Sequence, residues 1–116
     1  MNLKDKKCIP HKSYVPALLE QEKIALMKEI RDWSFNQDKT RISKDFKFKN
    51  FKQSLHFLNQ VAQIAEIENH HPDFHLSWGK CKIEIWTHVN DNLVENDFIL
   101  AAKIDELIND QFQNHV

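Results

Sequence analysis

His70 and His71 stand side by side ahead of Pro72, and a third histidine, His88, follows His70 by 18 positions. Histidine changes charge closest to neutral pH, so neutral and protonated imidazoles coexist there. One ring can then accept a proton while another donates one to a departing oxygen, which is general acid–base catalysis. Three imidazoles also form a metal-ligand set; no nearby Cys offers a fourth ligand, although Glu66 does, and adjacent His70 and His71 in extended backbone point to opposite sides. The plainest alternative is that the rings satisfy local hydrogen bonds. Spacing alone leaves the three readings open.

Whether the rings meet depends on the elements that carry them. From Phe51 to Glu68 there is no Gly or Pro, and Phe51, Leu55, Leu58, Ala62 and Ala65 recur at steps of four and three, with Phe57, Val61 and Ile64 widening the stripe. That pattern predicts a helix. Pro72 disfavours helical geometry at His71, so the helix is expected to end by about Asn69, and His70 and His71 to project from the junction into the next strand. Phe74, Leu76 and Trp78 then alternate with His75 and Ser77. Past Gly79, Cys81, Ile83, Ile85 and Thr87 alternate with Lys82, Glu84, Trp86 and His88. Strands over 73–78 and 80–88, turning near Gly79, would fold His88 back beside His70 and His71.

Upstream, Leu18, Leu19, Ile24, Leu26, Met27 and Ile30 predict a first helix over 17–30. Trp33 and Phe35, a polar turn at 36–40 and a strand over 41–48 with Ile42, Phe46 and Phe48 on one face predict a first hairpin. Downstream, Phe98, Leu100, Ala101, Ile104, Leu107 and Ile108 mark a last helix ending near Asp110. Residues 1–16, with Pro10, His11 and Pro16 among lysines, lack any period and read as an extended leader to a single domain over 17–116. Little is expected of that leader. The order is α-β-β-α-β-β-α, and strands joined by short turns pair antiparallel. The expected class is therefore α+β: a two-layer sandwich of a four-stranded antiparallel sheet with three helices on one face, the other face free for a ligand or another subunit.

A chain of 116 residues with 41% hydrophobic side chains suits one compact core. Sixteen Lys plus Arg against 17 Asp plus Glu give a net charge of −1, which supplies no broad field for direct nucleic-acid contact or for an anionic membrane surface. A single glycine excludes a Gly-rich phosphate loop. No apolar run approaches the roughly 20 residues that span a bilayer, and the start lacks a secretory pattern. Cys8 and Cys81, one in the leader and one in a buried-strand pattern, are not expected to pair. A reducing, cytoplasmic compartment follows from this reading.

The motif Glu-x-x-x-His-His-Pro from Glu66 to Pro72, the aromatics Phe74 and Trp78, the strand ending Trp86-Thr87-His88, and Asp97-Phe98 with Ala101 and Ile104 resemble the pterin-4a-carbinolamine dehydratases. Trp33, the run from Phe46 to Phe51, and Val61-Ala62-x-x-Ala65-Glu66 resemble that family in the same order. The resemblance covers Trp33 to Leu107. It implies dehydration of 4a-hydroxytetrahydropterin to quinonoid dihydropterin and water, in recycling of the pterin used by aromatic amino acid hydroxylases, without a metal or a bound cofactor. It also implies that His70 and His88 move protons and that His71 binds and orients the pterin. Glu66 would hold an imidazole or bind the pterin's amide edge, and His75 would line the pocket. Trp78 or Trp86 would stack on the ring or pack against core or subunit. Asp97 matches an acidic residue at the start of the last helix. A Thr or Ser three residues earlier would complete a capping box; here Val94 stands there. A homodimer or homotetramer is implied. Two alternatives remain: a non-catalytic partner of a transcription factor, and an enzyme of a different pterin. His11, His56 and His115 are expected to be solvent-exposed.

Overall fold

The computed structural model describes residues 2–10 and 15–108. After a short 3-10 turn at Leu3–Asp5 come α1 (Glu20–Met27), β1 (Ser34–Phe35), β2 (Ile42–Lys47), α2 (Phe51–Glu68), β3 (Asp73–Ser77), β4 (Lys80–Ile85) and α3 (Glu95–Leu107). The four strands form one antiparallel sheet in the order β1-β2-β4-β3. This is the expected α+β arrangement of helices and antiparallel strands. The expected end of the last helix near Asp110, like His11 and His115, lies outside the described residues.

Register explains which face is covered. Ile42 pairs with Ile85, Lys44 with Ile83 and Phe46 with Cys81, while Leu76 meets Cys81 from the other side. Side chains alternate across a strand, so these point to the helices, and Ser43, Asp45, Lys47, Lys82 and Glu84 point away. Ile42, Phe46, Cys81, Ile83 and Ile85 are buried together with Phe57 and Val61 of α2 and Phe98, Leu100 and Ile104 of α3. The two-residue turn at Trp78 and Gly79 needs glycine for room: a Cβ there would sit 3.0 Å from the Phe48 carbonyl oxygen. That carbonyl cannot retreat freely, because the Phe48 N–H donates to the Gly79 oxygen at 2.8 Å.

Two elements differ by more than one residue from their sequence-based bounds, and the leader differs in its role. The first helix spans Glu20–Met27 rather than 17–30. The chain leading into it is held extended by a bond from the Leu18 N–H to Leu93 O, and beyond Met27 the backbone tightens into i→i−3 bonds up to Ile30. Its buried face also carries Lys23, whose Nζ donates to Lys39 O at 2.6 Å and Asn92 Oδ1 at 2.7 Å. The fourth strand stops at Ile85, so His88 lies in a turn beyond it rather than on it. That turn is closed by a bridge between Thr87 and Asn92. Residues 2–10 of the leader, finally, are docked rather than idle. Leu3 is buried in the core, and Lys6 and Lys4 pair with Glu95 and Glu106 of α3.

Cys8 and Cys81 are free thiols. Burial, reinforced by Glu68, pushes the Cys8 thiol up to about 12 from an ordinary 9.0, and burial alone pushes Cys81 up to about 11. The native state therefore keeps protons that an unfolded chain releases. The stabilisation from these thiols is fully present below the unfolded value and is lost as pH rises through 11 and 12. Because the thiolate is the nucleophile, native protein near pH 8 is expected to resist iodoacetamide while urea-unfolded protein takes two labels. Equal labelling rates by intact mass would contradict this.

Candidate active site

Three chain segments meet at one end of the sheet. The first is the exit of α2. Asn50 caps its start, its side chain accepting from the Gln53 N–H at 2.9 Å, and Asn69 ends it in the left-handed conformation with φ of 52°. The His70 N–H then returns to Ala65 O at 3.1 Å, a helix-ending bond that turns the chain sharply. His70 and His71 emerge from that turn, and Pro72, buried, prevents the helix from continuing. The second segment is the exit of β4, carrying Trp86, Thr87 and His88. The third is the first turn of α3. Between them lies a cleft of about 180 Å³ whose walls include all three histidines with Asn69, Trp86 and Thr87.

Asp97 organises this end. Its carboxylate has no exposed surface. One oxygen lies 2.6 Å from His70 Nε2; the other accepts from Thr87 Oγ1 at 2.9 Å and from the Val94 N–H at 2.8 Å. An ionised carboxylate only accepts, so Nε2 carries the ring proton and Nδ1 is left to exchange one. The bond to Val94 is half of a capping box; valine has no oxygen with which to complete the reciprocal half. A single acidic residue thus starts the helix, fixes the β4 exit and sets the tautomer of His70.

His71 Nε2 lies 2.5 Å from Glu66 Oε2. Both side chains are exposed, so this pair contributes little to stability. Glu66 reaches His71 rather than His70 because the left-handed Asn69 breaks the helical spacing. The Trp86 ring lies 4.6 Å from the His88 ring, and the Arg41 guanidinium sits 4.3 Å from the Trp86 centroid. Arg41 also pairs with Asp91, tying the turn that carries His88 to the start of β2.

Two residues singled out in the sequence stand elsewhere. Trp78 is exposed at the far hairpin turn, and His75 lies on the outer face of β3, opposite Lys82. Neither lines the cleft within one chain. Conversely, Ile9 and Asn96 line it and had no sequence signal. Ile9 sits in a stretch without periodicity, and Asn96 looks like any polar residue of a first helical turn. His56 is exposed on α2, as expected. Among the described residues no group of three or more His, Cys, Asp or Glu side chains converges as a metal set. Among them, too, no helix is long and apolar enough to cross a membrane.

The fold and this end of it define a class: an α+β sandwich whose histidine cleft lies at the junction of a helix exit, a strand exit and a helix start. Residues 16–107 match the sequence profile of the family described as pterin 4 alpha carbinolamine dehydratase, and the chain belongs to that family. It is 49% identical over 109 residues to a chain from Rickettsia bellii provisionally named a pterin-4-alpha-carbinolamine dehydratase, covering 93% of this chain and 96% of that one. It is 44% identical to the Arabidopsis thaliana mitochondrial pterin-4-alpha-carbinolamine dehydratase 2, covering 91% of this chain and 59% of that one. Among solved structures, a transcriptional coactivator/pterin dehydratase from Brucella melitensis superposes with a TM-score of 0.75 at 26% identity, over 79% of this chain and 98% of that one.

Proposed function

We propose that this protein is a dehydratase that converts a 4a-hydroxytetrahydropterin into the quinonoid dihydropterin and water, in tetrahydrobiopterin recycling, by histidine acid–base catalysis. The observation that carries this reading is the buried Asp97 carboxylate holding His70 in one tautomer at a cleft that His88 shares. His70 Nδ1 takes the proton from N5 of the pterin. The N–H electron pair becomes the new N5=C4a bond, the C4a–O bond breaks, and the departing hydroxide receives a proton from His88 and leaves as water. The imidazolium formed at His70 faces Asp97 as its counter-charge, and solvent returns both rings to their starting states. His71, steadied by Glu66, binds and orients the pterin; Trp86 offers a flat surface to its ring. No step calls for a metal or a bound cofactor.

The unpaired outer edge of β3 and the polar sheet face fit pairing with a second copy in a homodimer or homotetramer. Cytoplasmic location is part of the same reading. A coactivator-like binding role, which the Brucella protein's name joins to the dehydratase, has no need of the His70–Asp97 pair.

The test is turnover of 4a-hydroxytetrahydropterin followed by absorbance. Wild type is expected to accelerate dehydration, with or without a chelator, and His88→Ala to lose about 10²- to 10⁴-fold in kcat. A wild type with no activity would overturn the reading, and full activity in His88→Ala would remove His88 from the mechanism.

A further inference from the structure

Residues 2–10 of the leader, outside the family match, are bolted to the cleft. The Cys8 N–H donates to Glu68 Oε1 at 2.8 Å at the exit of α2. One residue on, the side-chain amide of buried Asn96 satisfies both backbone groups of Ile9, accepting from its N–H at 2.9 Å and donating to its carbonyl at 2.7 Å. Asn96 thus treats Ile9 as a neighbouring strand would, beside the Asp97 that holds His70. The Lys103 ammonium extends the attachment by donating to Lys4 O at 2.9 Å.

With its backbone clamped, Ile9 leaves 65% of its surface exposed, and it lines the cleft together with Val89, which is 57% exposed. These are two uncovered aliphatic side chains in a cleft otherwise walled by imidazoles, amides, a hydroxyl and one indole. The chemistry says what they meet. In a pterin, C6 is bonded directly to N5, so a ring placed to give its N5 proton to His70 carries its C6 substituent immediately beside the reacting nitrogen.

Resting on the dehydratase reading, we infer that Ile9 is a specificity-determining residue whose side chain, with Val89, forms an apolar lip that receives the substituent at C6 of the pterin. The leader thereby completes the substrate pocket, and it selects for substrates with a carbon chain at that position. Contact with part of such a chain corresponds to about a fivefold effect on affinity, the scale of one buried methylene or slightly more.

The experiment compares wild type and Ile9→Ala, both as full chains, on two 4a-hydroxytetrahydropterins, one with a three-carbon substituent at C6 and one with hydrogen there. Ile9→Ala is expected to raise KM about fivefold for the substituted substrate only. It should leave kcat within about twofold and the melting temperature unchanged, because Asn96 grips main-chain atoms that alanine retains. Unchanged KM for both substrates, or an equal rise for both, would overturn the inference while leaving the dehydratase reading intact. A wild type inactive on both would overturn that reading, and the lip with it.

Discussion

Asp97→Asn is expected to lower kcat for 4a-hydroxytetrahydropterin about 10²- to 10⁴-fold while preserving the fold. The asparagine oxygen can still accept from Thr87 Oγ1 and the Val94 N–H, the two donors that one Asp97 oxygen serves. Its amide nitrogen then faces His70 Nε2 in place of the oxygen now 2.6 Å away. A donor at that position forces Nε2 to accept and moves the ring proton to Nδ1, the nitrogen that must take the proton from N5. The negative charge opposite the developing imidazolium is lost as well. The readout is kcat alongside pterin binding and thermal unfolding. Loss of kcat with binding and melting temperature retained supports the mechanism. Wild-type kcat in Asp97→Asn would show that the tautomer of His70 is irrelevant, and His70→Ala would then be expected to be active too.

The largest effect on stability is expected at Asp105, about two turns further along α3 from Asp97. Its side chain is 4% exposed and accepts from Lys44 Nζ at 2.9 Å, from Trp33 Nε1 at 3.0 Å and from the Arg31 N–H at 3.0 Å. Lys44 projects from β2 toward the helices, and its ammonium lies 4.7 Å from the Phe46 ring centroid. Removing the carboxylate leaves a largely buried ammonium, an indole N–H and a backbone N–H without their acceptor. Asp105→Ala is therefore expected to cost about 3–5 kcal/mol in urea unfolding, a large part of a small domain's stability. Replacing Lys44 by Met in the same chain should recover part of the loss, since the unpaired charge goes with it. A cost below about 1 kcal/mol would mean that water reaches Lys44 and that the cluster is not buried in solution.

Much of the fold was legible because its determinants are local. The apolar stripe of α2 and Pro72 place the end of that helix by about Asn69, and it ends at Glu68 with Asn69 as its cap, since periodicity and a missing N–H act within a few residues. Gly79 marked its turn, although what demands glycine there is the Phe48 carbonyl just beyond the end of β2. The first helix came out shorter than its stripe because Leu18 is drawn into a backbone bond with Leu93, a partner far along the chain. The fourth strand came out shorter than its alternation because Thr87 turns toward Asn92 and Asp97.

The same division runs through the site. Residue types and the His-His-Pro spacing sufficed to nominate His70, His71 and His88, and the family resemblance attached Asp97 to the start of α3, because helix exits and helix starts are written in short stretches of chain. Which carboxylate meets which imidazole was not so written. Asp97 takes His70 and Glu66 takes His71 because a left-handed Asn69 and the packing of α3 decide where each ring can reach. Trp78 and His75, close to the motif along the chain, stand away from the cleft, since a strand alternates its side chains between faces and a hairpin turn carries its tip far off. Ile9, remote in sequence and without periodicity, stands at the cleft because Asn96 offers its backbone two hydrogen bonds. Short-range order in the chain set the elements and the chemistry available to them; long-range hydrogen bonds between buried groups, which no local pattern encodes, chose the partners.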